Sequence, residues 1–165
     1  MFHTILADPP WLERGGGKIK RGADRHYPLL KTPEILEVMT SAPVWYPAES
    51  CHLYLWVTNN FLPDGLWLVE QLGFDYKTVL TWGKDRMGLG YYFRGQTEQL
   101  LFASKGLILK PRVKTKSTLM LEARREHSQK PELAYEVIEA VSHAPYLEMF
   151  CRQPREGWYS WGDEI

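Results

Sequence analysis

The chain has 165 residues, 44% of them apolar, and 20 Lys plus Arg balance 20 Asp plus Glu. That length predicts one domain, residues 1–165, burying about two thirds of its unfolded surface. No apolar run approaches 18 residues, which excludes a transmembrane helix. The two cysteines, Cys51 and Cys151, have neither a metal-binding spacing nor a disulfide pattern, so no metal is expected. The opening residues lack a basic start and a cleavage site, so no signal peptide is expected, and a reducing, cytoplasmic location fits.

Residues 2–8 read as a buried strand ending at Asp8, which runs into Pro9, Pro10 and Trp11. Residues 12–31 carry three consecutive glycines and many charges, the signature of a long loop. "TPEILEVMTSAP" predicts a short helix with Thr32 as N-cap and Pro33 at its first position. "HLYLWVT" (52–58) is a buried strand, and "FLPDGLWLVEQLGF" is a helix stopped by Gly73. Residues 76–84 form another strand, residues 86–95 a loop rich in Gly and aromatics, and residues 98–106 a further strand. Residues 107–126 read as irregular and basic. A helix over 130–141 and a strand over 146–152 follow, and "GWYSWGDEI" closes the chain.

Strands alternating with helices predict an α/β fold with a mostly parallel sheet covered on both faces. Ligands of such sheets bind at the carboxyl ends of the strands. Asp8, Thr58, Lys84 and Arg152 all fall at such ends. Charge is also uneven. Six basic residues lie between Arg14 and Lys31 and eight between Lys105 and Lys130, whereas the last 35 residues hold seven acids and two arginines. Two basic loops flanking one site would suit a phosphate backbone.

The stretch Asp8-Pro9-Pro10-Trp11 has a chemistry of its own. A residue before proline is pushed to extended geometry, and proline has no amide donor. The segment is therefore stiff and rich in acceptors, suited to a planar, donor-rich group such as an aromatic amine. Hydrogen bonds from that amine to the Asp8 carboxylate and the Pro9 carbonyl would localise its lone pair on nitrogen. The Trp11 ring would stack on the base.

"DPPW" after a short strand resembles the catalytic motif of amino-methyltransferases, and the chain as a whole resembles the MT-A70 family. "LYLWVTNNFL" (53–62), "LTWGKDR" (80–86), "RGQTEQLLFASKG" (94–106), "HSQKPELAYEVIE" (127–139), "YLEMFCR" (146–152) and the tail each resemble the family's stretches in the same order. The resemblance implies a Rossmann-like fold that uses S-adenosyl-L-methionine. The catalytic motif comes first and the cofactor strand last, a permuted, β-type order. No Gly-rich GxGxxG loop is present or required.

By the same resemblance, Asp8, Pro9, Pro10 and Trp11 are the catalytic residues. Lys130 would pair with the cofactor's carboxylate, with His127 and Ser128 beside it. Leu6, Ala7, Asp8, Glu148, Phe150, Arg152, Asp163 and Glu164 would complete the cofactor site, with Glu148 organising Arg152. Tyr27, Trp56, Asn59, Trp82, Lys84 and Glu98 are candidates for the target base, Trp56 being the one that reads most as core. Arg94 and the basic loops would hold phosphates. A paired base must be extracted before its amine can react, at a cost of a few kcal/mol.

The implied activity is methyl transfer to adenine N6 in DNA. RNA is the nearest alternative, and a catalytically silent, nucleic-acid-binding partner subunit of a methyltransferase complex is another. For the protein itself, a homodimer or heterodimer is compatible with either. With little room for a separate recognition domain, specificity is expected from residues 12–31, 86–95 and 107–126 or from a second subunit.

Overall fold

The structure is a computed structural model, and it describes residues 1–12, 29–107, 109–126 and 129–162. The elements in chain order are β1 (Phe2–Ala7), α1 (Thr32–Ser41), β2 (Pro47–Val57), a 3-10 turn (Asn59–Phe61), α2 (Leu62–Gln71), β3 (Asp75–Gly83), β4 (Thr97–Lys105), β5 (Leu119–Leu121), α3 (Glu132–Val141), β6 (Tyr146–Met149) and β7 (Trp158–Trp161).

The strands form one sheet in the order β5-β3-β4-β2-β1-β6-β7. Strand β4 is antiparallel to both neighbours, β2 and β3, and every other pair is parallel. The sheet is thus mostly parallel, as the alternation of elements predicts. The one reversed strand carries the start of β4 to the edge where the other strands end.

Side chains alternate across the sheet. Ile5, Ala7, Leu53, Leu55, Leu147 and Met149 face α1 and α2 through Ile35, Met39, Leu68 and Val69. Leu6, Tyr54, Trp56, Leu80, Trp82 and Leu100 face α3 through Ala134, Val137 and Ile138. Among the described residues, helices therefore cover both faces, two on one and one on the other. Transfer of such large apolar side chains from water contributes about 1.5–3 kcal/mol each.

Several boundaries differ from the sequence reading. Strand β2 starts at Pro47, five residues before the predicted run. Residues 119–121 and 158–161 are strands that composition does not reveal. Both are short and sit at the two edges of the sheet, where pairing to a neighbour decides structure more than propensity does. Thr32 is the first helical residue rather than the cap, and its hydroxyl reaches Asp64 Oδ1 on α2 at 3.0 Å. The Glu34 carboxylate takes the N–H of Lys31 instead. Gly73 does stop α2. Its φ is +85°, and its N–H and that of Phe74 return to Glu70 and Val69.

Candidate active site

Strand β1 delivers Asp8 to the carboxyl edge, where the Asp8 N–H donates to the Met149 carbonyl of β6 at 3.3 Å. By alternation Asp8 lies on the same face as Leu6, the face covered by α3. Lys130, just ahead of α3, extends its ammonium to within 3.5 Å of Asp8 Oδ1 and 2.7 Å of Glu98 Oε1. The other Glu98 oxygen lies 3.0 Å from Lys84 Nζ. The four groups form a charge-balanced chain, Asp8–Lys130–Glu98–Lys84, with side chains only 13–22% exposed. Because β4 is reversed, its first turn places Glu98 beside Lys84, which ends β3.

Two tryptophans underlie the chain. Lys130 Nζ sits 5.4 Å from the ring centre of Trp56 and Lys84 Nζ 4.8 Å from that of Trp82. The two rings meet edge to face at 6.2 Å. Trp82 also donates its indole N–H to the Glu122 carbonyl. Such cation–π contacts favour the charged lysines in a desolvated place.

Electrostatics divide the two acids. Burial pushes the Asp8 pKa up against the pull of Lys130, and burial prevails. Burial also pushes Glu98 up, but Lys130 and Lys84 outweigh it and hold Glu98 below its ordinary value. Burial alone would lower the Lys130 pKa; Asp8 and Glu98 outweigh it and raise the pKa well above the usual lysine range. The site thus holds one firmly ionised acid, one firmly protonated lysine and one carboxylate, Asp8, that binds protons more readily than usual.

Glu148 points to the same face, opposite Leu6 in the β1–β6 register. It accepts a hydrogen bond from the Tyr135 hydroxyl at 2.6 Å, and Cys151 Sγ lies 3.5 Å from its other oxygen. Burial lifts its pKa to about 7, against the effect of those hydrogen bonds. Hydrogen bonds from Tyr135 and Cys151 orient Glu148. Arg152 is half-buried, three residues past β6, and close enough for its charge to lower the pKa of both Asp8 and Lys130.

Other expectations change. Trp11 offers no platform for a base. It is 6% exposed, stacks on Phe61 at 5.6 Å and donates its indole N–H to the Trp56 carbonyl at 2.9 Å. Its role is to fix the segment after Asp8 onto the core. The proline carbonyls are not bare. Pro9 accepts the Trp11 N–H and Pro10 the Leu30 N–H, both at 2.9 Å. Each oxygen keeps one lone pair for a further donor. Phe150 has a φ of +61°, which turns its ring away from the Glu148 face and into the core against Trp161, at 5.6 Å. Asn59 bonds Thr97 and Gln99, whose side chains lie on the sheet face opposite Asp8.

Leu6 and Ala7 are buried on opposite faces of β1, and Trp56 is core at 1% exposure, as its apolar strand suggests. Arg94 is exposed. Tyr27, His127, Ser128, Asp163 and Glu164 lie outside the described residues.

The basic segment after Lys105 flanks the site only in its last part. Reversed β4 leaves the sheet at the amino edge, where Lys105 pairs with Cys51. Residues 109–112 then lie by the far end of α3, with Arg112 bonded to Val141 and Glu139 and Lys110 to His143. Of these basic residues, Arg124, Arg125 and Lys130, which follow β5, return to the carboxyl edge.

Sequence reasoning passed over Glu122. Its two carboxylate oxygens accept the N–H groups of Glu132 and Leu133 at 2.9 and 3.1 Å, satisfying the start of α3 from a distance. The negative charge also complements the helix dipole, which Lys130 by itself would oppose. No local capping pattern announces it, because ten residues separate donor and acceptor.

Residues 2–164 match the MT-A70 family profile. The chain belongs to the MT-A70 family. It is 31% identical to the Type II methyltransferase M.MunI of a Mycoplasma species, over 99% of this chain and 78% of that protein. It is 29% identical to the N6-methyladenosine RNA methyltransferase MTA1 of Cryphonectria parasitica, over 100% of this chain and 52% of that one. It is 27% identical to the human N(6)-adenine-specific methyltransferase METTL4, over 99% of this chain and 37% of that protein. The chain thus spans most of the Mycoplasma protein and about half or less of the other two. Its seven-stranded sheet with helices on both faces is the Rossmann-like methyltransferase fold of MT-A70 proteins. In this MT-A70 chain the DPPW segment on β1 and the Lys130 segment on α3, far apart in sequence, meet at one edge.

Proposed function

We propose that this MT-A70 protein transfers a methyl group from S-adenosylmethionine to the N6 amine of adenine in DNA. The observation that carries the reading is Asp8, a largely buried carboxylate held at the carboxyl edge by Lys130, with the Pro9 carbonyl next to it. The choice of DNA rests on the larger shared length with the Type II methyltransferase than with the RNA methyltransferase.

The donor set at the edge fits the cofactor's chemistry. A carboxylate needs a cation, and Lys130 is one. A sulfonium needs an anion, and Asp8 is one. Ribose hydroxyls need partners of the Glu148 and Arg152 kind. When bound, S-adenosylmethionine supplies a methyl group activated by positively charged sulfur.

The chain's own residues do the rest. The Asp8 carboxylate and the free lone pair of the Pro9 carbonyl accept the two N–H bonds of the amine. That localises the nitrogen lone pair and stabilises the positive charge that develops on N6 during transfer. Stiff prolines and the anchored Trp11 hold both acceptors in place, so little reorganisation is needed. Asp8, whose burial favours the protonated form, then takes the proton or passes it to water. Glu98 and Lys84, over the Trp82 ring, border the space next to Asp8 and suit the polar edge of a base.

The test is to incubate the protein with mixed plasmid DNA and S-adenosylmethionine, then digest the DNA and identify the modified nucleoside. N6-methyladenine in a defined sequence context is the expected product. Methylated cytosine would contradict the reading. Methylation of an RNA substrate alone would move the activity to RNA.

A further inference from the structure

The loop between β3 and β4 is a hairpin rooted in the site. Lys84 and Gln96 close its base through a 2.9 Å N–H···O bond, and Gln96 adds a side-chain bond to the Lys84 carbonyl. Gly88 and Gly95 bond to one another farther out, and Gly95 also bonds to Leu89. Beyond these rungs stand Tyr91, Tyr92 and Phe93, which are 86%, 91% and 86% exposed. Three consecutive aromatic rings in water are an unusual arrangement for a surface, since each forgoes an apolar burial worth about 1.5–3 kcal/mol.

The tip is also built rather than slack. Tyr92 has a φ of +64°, a conformation that non-glycine residues avoid. The Phe93 N–H bonds the Tyr91 carbonyl at 2.8 Å, and Tyr91 and Tyr92 meet edge to face at 4.6 Å. A Cβ on Gly90 would run into the Phe93 carbonyl, so only glycine fits there. Arg86 and Arg94 flank the rings. Arg124 braces the hairpin from the side, its backbone N–H on Asp85 Oδ1 and its Nε buried with no hydrogen-bond partner. Lys84, at the hairpin's root, ion-pairs with Glu98. At about 3.3 Å per residue the four residues from Tyr92 to Gln96 carry the tip no more than roughly 13 Å from the root.

We propose that Tyr91, Tyr92 and Phe93 are a stacking element for unpaired bases beside the target nucleotide, with Arg86 and Arg94 on the adjacent phosphates. The proposal rests on the nucleic-acid reading of the site. Rings this exposed on a narrow tip suit stacking against bases, which stack on aromatics regardless of sequence. Flanking arginines fit a phosphate chain, and the one acid of the hairpin, Asp85, is already engaged by Arg86 and Arg124. The hairpin also exposes Met87 and Leu89, so association with a second copy of the chain is the competing outcome that sedimentation reads.

The test measures equilibrium binding of the full chain to a fluorescein-labelled, mixed-sequence single strand of about 12 nucleotides, at several salt concentrations. The triple variant Tyr91→Ala/Tyr92→Ala/Phe93→Ala is expected to bind at least tenfold more weakly with an unchanged salt slope, because it removes rings and no charge. Arg86→Gln/Arg94→Gln is expected to flatten the slope by about 1.4 (0.7 for each phosphate released). Equal affinity of the triple variant and the parent would overturn the proposal. So would sedimentation showing that the variant loses only self-association while its affinity for the strand holds. Methylation of the same strand is followed in parallel. A parent that methylates adenine while the triple variant binds undiminished refutes the stacking role and leaves the activity standing.

Discussion

Along one face of β2, His52 and Tyr54 mark one end of the sheet and Trp56 the other, and the two ends handle buried polar groups in opposite ways. At the amino end, His52 Nδ1 and the Tyr54 hydroxyl both bond Ser142 Oγ at 2.7 Å. Burial lowers the His52 pKa to about 4 and raises that of Tyr54 to about 12, so both stay neutral near pH 7. At the carboxyl end, Asp8, Lys130, Glu98 and Lys84 keep their charges and pair them. Neutral groups satisfied by one another stabilise a core. Paired ions left partly open to solvent cost more to bury and yield less stability, and such arrangements are kept where a ligand must be met.

The contrast can be broken at either end, and the largest change is expected at the ionic one. Lys130→Met takes from Asp8 its lysine partner and leaves Glu98 paired with Lys84 alone. We expect a loss of about 3–5 kcal/mol at pH 8 by urea denaturation, smaller at pH 5, where the acids take up protons. No loss at either pH would mean the charge chain is not coupled.

Glu148 sharpens the comparison, since it lies at the ionic end but bonds neutral partners. Its folded pKa, about 7, exceeds its ordinary value of 4.5, so it favours the folded state at low pH and that contribution is lost as pH rises from 4.5 to 7. His52, depressed from 6.5 to about 4, behaves in the opposite sense: its contribution is lost as pH falls from 6.5 to 4. The two act in opposite senses over overlapping pH ranges and so offset each other in the parent. Glu148→Gln is expected to raise stability at pH 8 and to expose a fall in stability on acidification. A melting profile across pH that stays flat in the variant would contradict this.

Ser142→Ala attacks the neutral end by leaving the His52 and Tyr54 polar atoms short of a partner. It should cost about 1–3 kcal/mol in urea denaturation and leave the methylation rate of the folded protein unchanged. Smallest of the four, Glu122→Ala uncaps α3. The expected loss is about 0.5–2 kcal/mol, with weaker retention of Lys130 against Glu98.

The fold class and the carboxyl edge were legible because hydrophobic runs, prolines and strand ends are local features. Asp8 and Lys84 could be placed by where their strands stop; Arg152, read as the end of a strand over 146–152, lies three residues past β6, which stops at Met149. What could not be read was pairing. Nothing local says that β4 runs backwards, yet that reversal brings Glu98 to Lys84 and Lys130 and sends the basic residues 109–112 to the wrong edge for a phosphate contact. Trp11 and Phe150 misled for a related reason. A ring beside a motif looks available, and only packing against Phe61 and Trp161 takes it out of play. Glu122 was invisible because a helix capped from ten residues away has no sequence signature.

The central claim is that Asp8 acts on the amine through its carboxylate and not as a fold element. Asp8→Asn keeps shape and one acceptor but removes the negative charge. Its transfer of a labelled methyl group to an adenine-bearing oligonucleotide should fall by about a hundred- to a thousandfold, with thermal stability close to the parent's. Transfer at the parental rate by a folded Asp8→Asn protein would contradict the account.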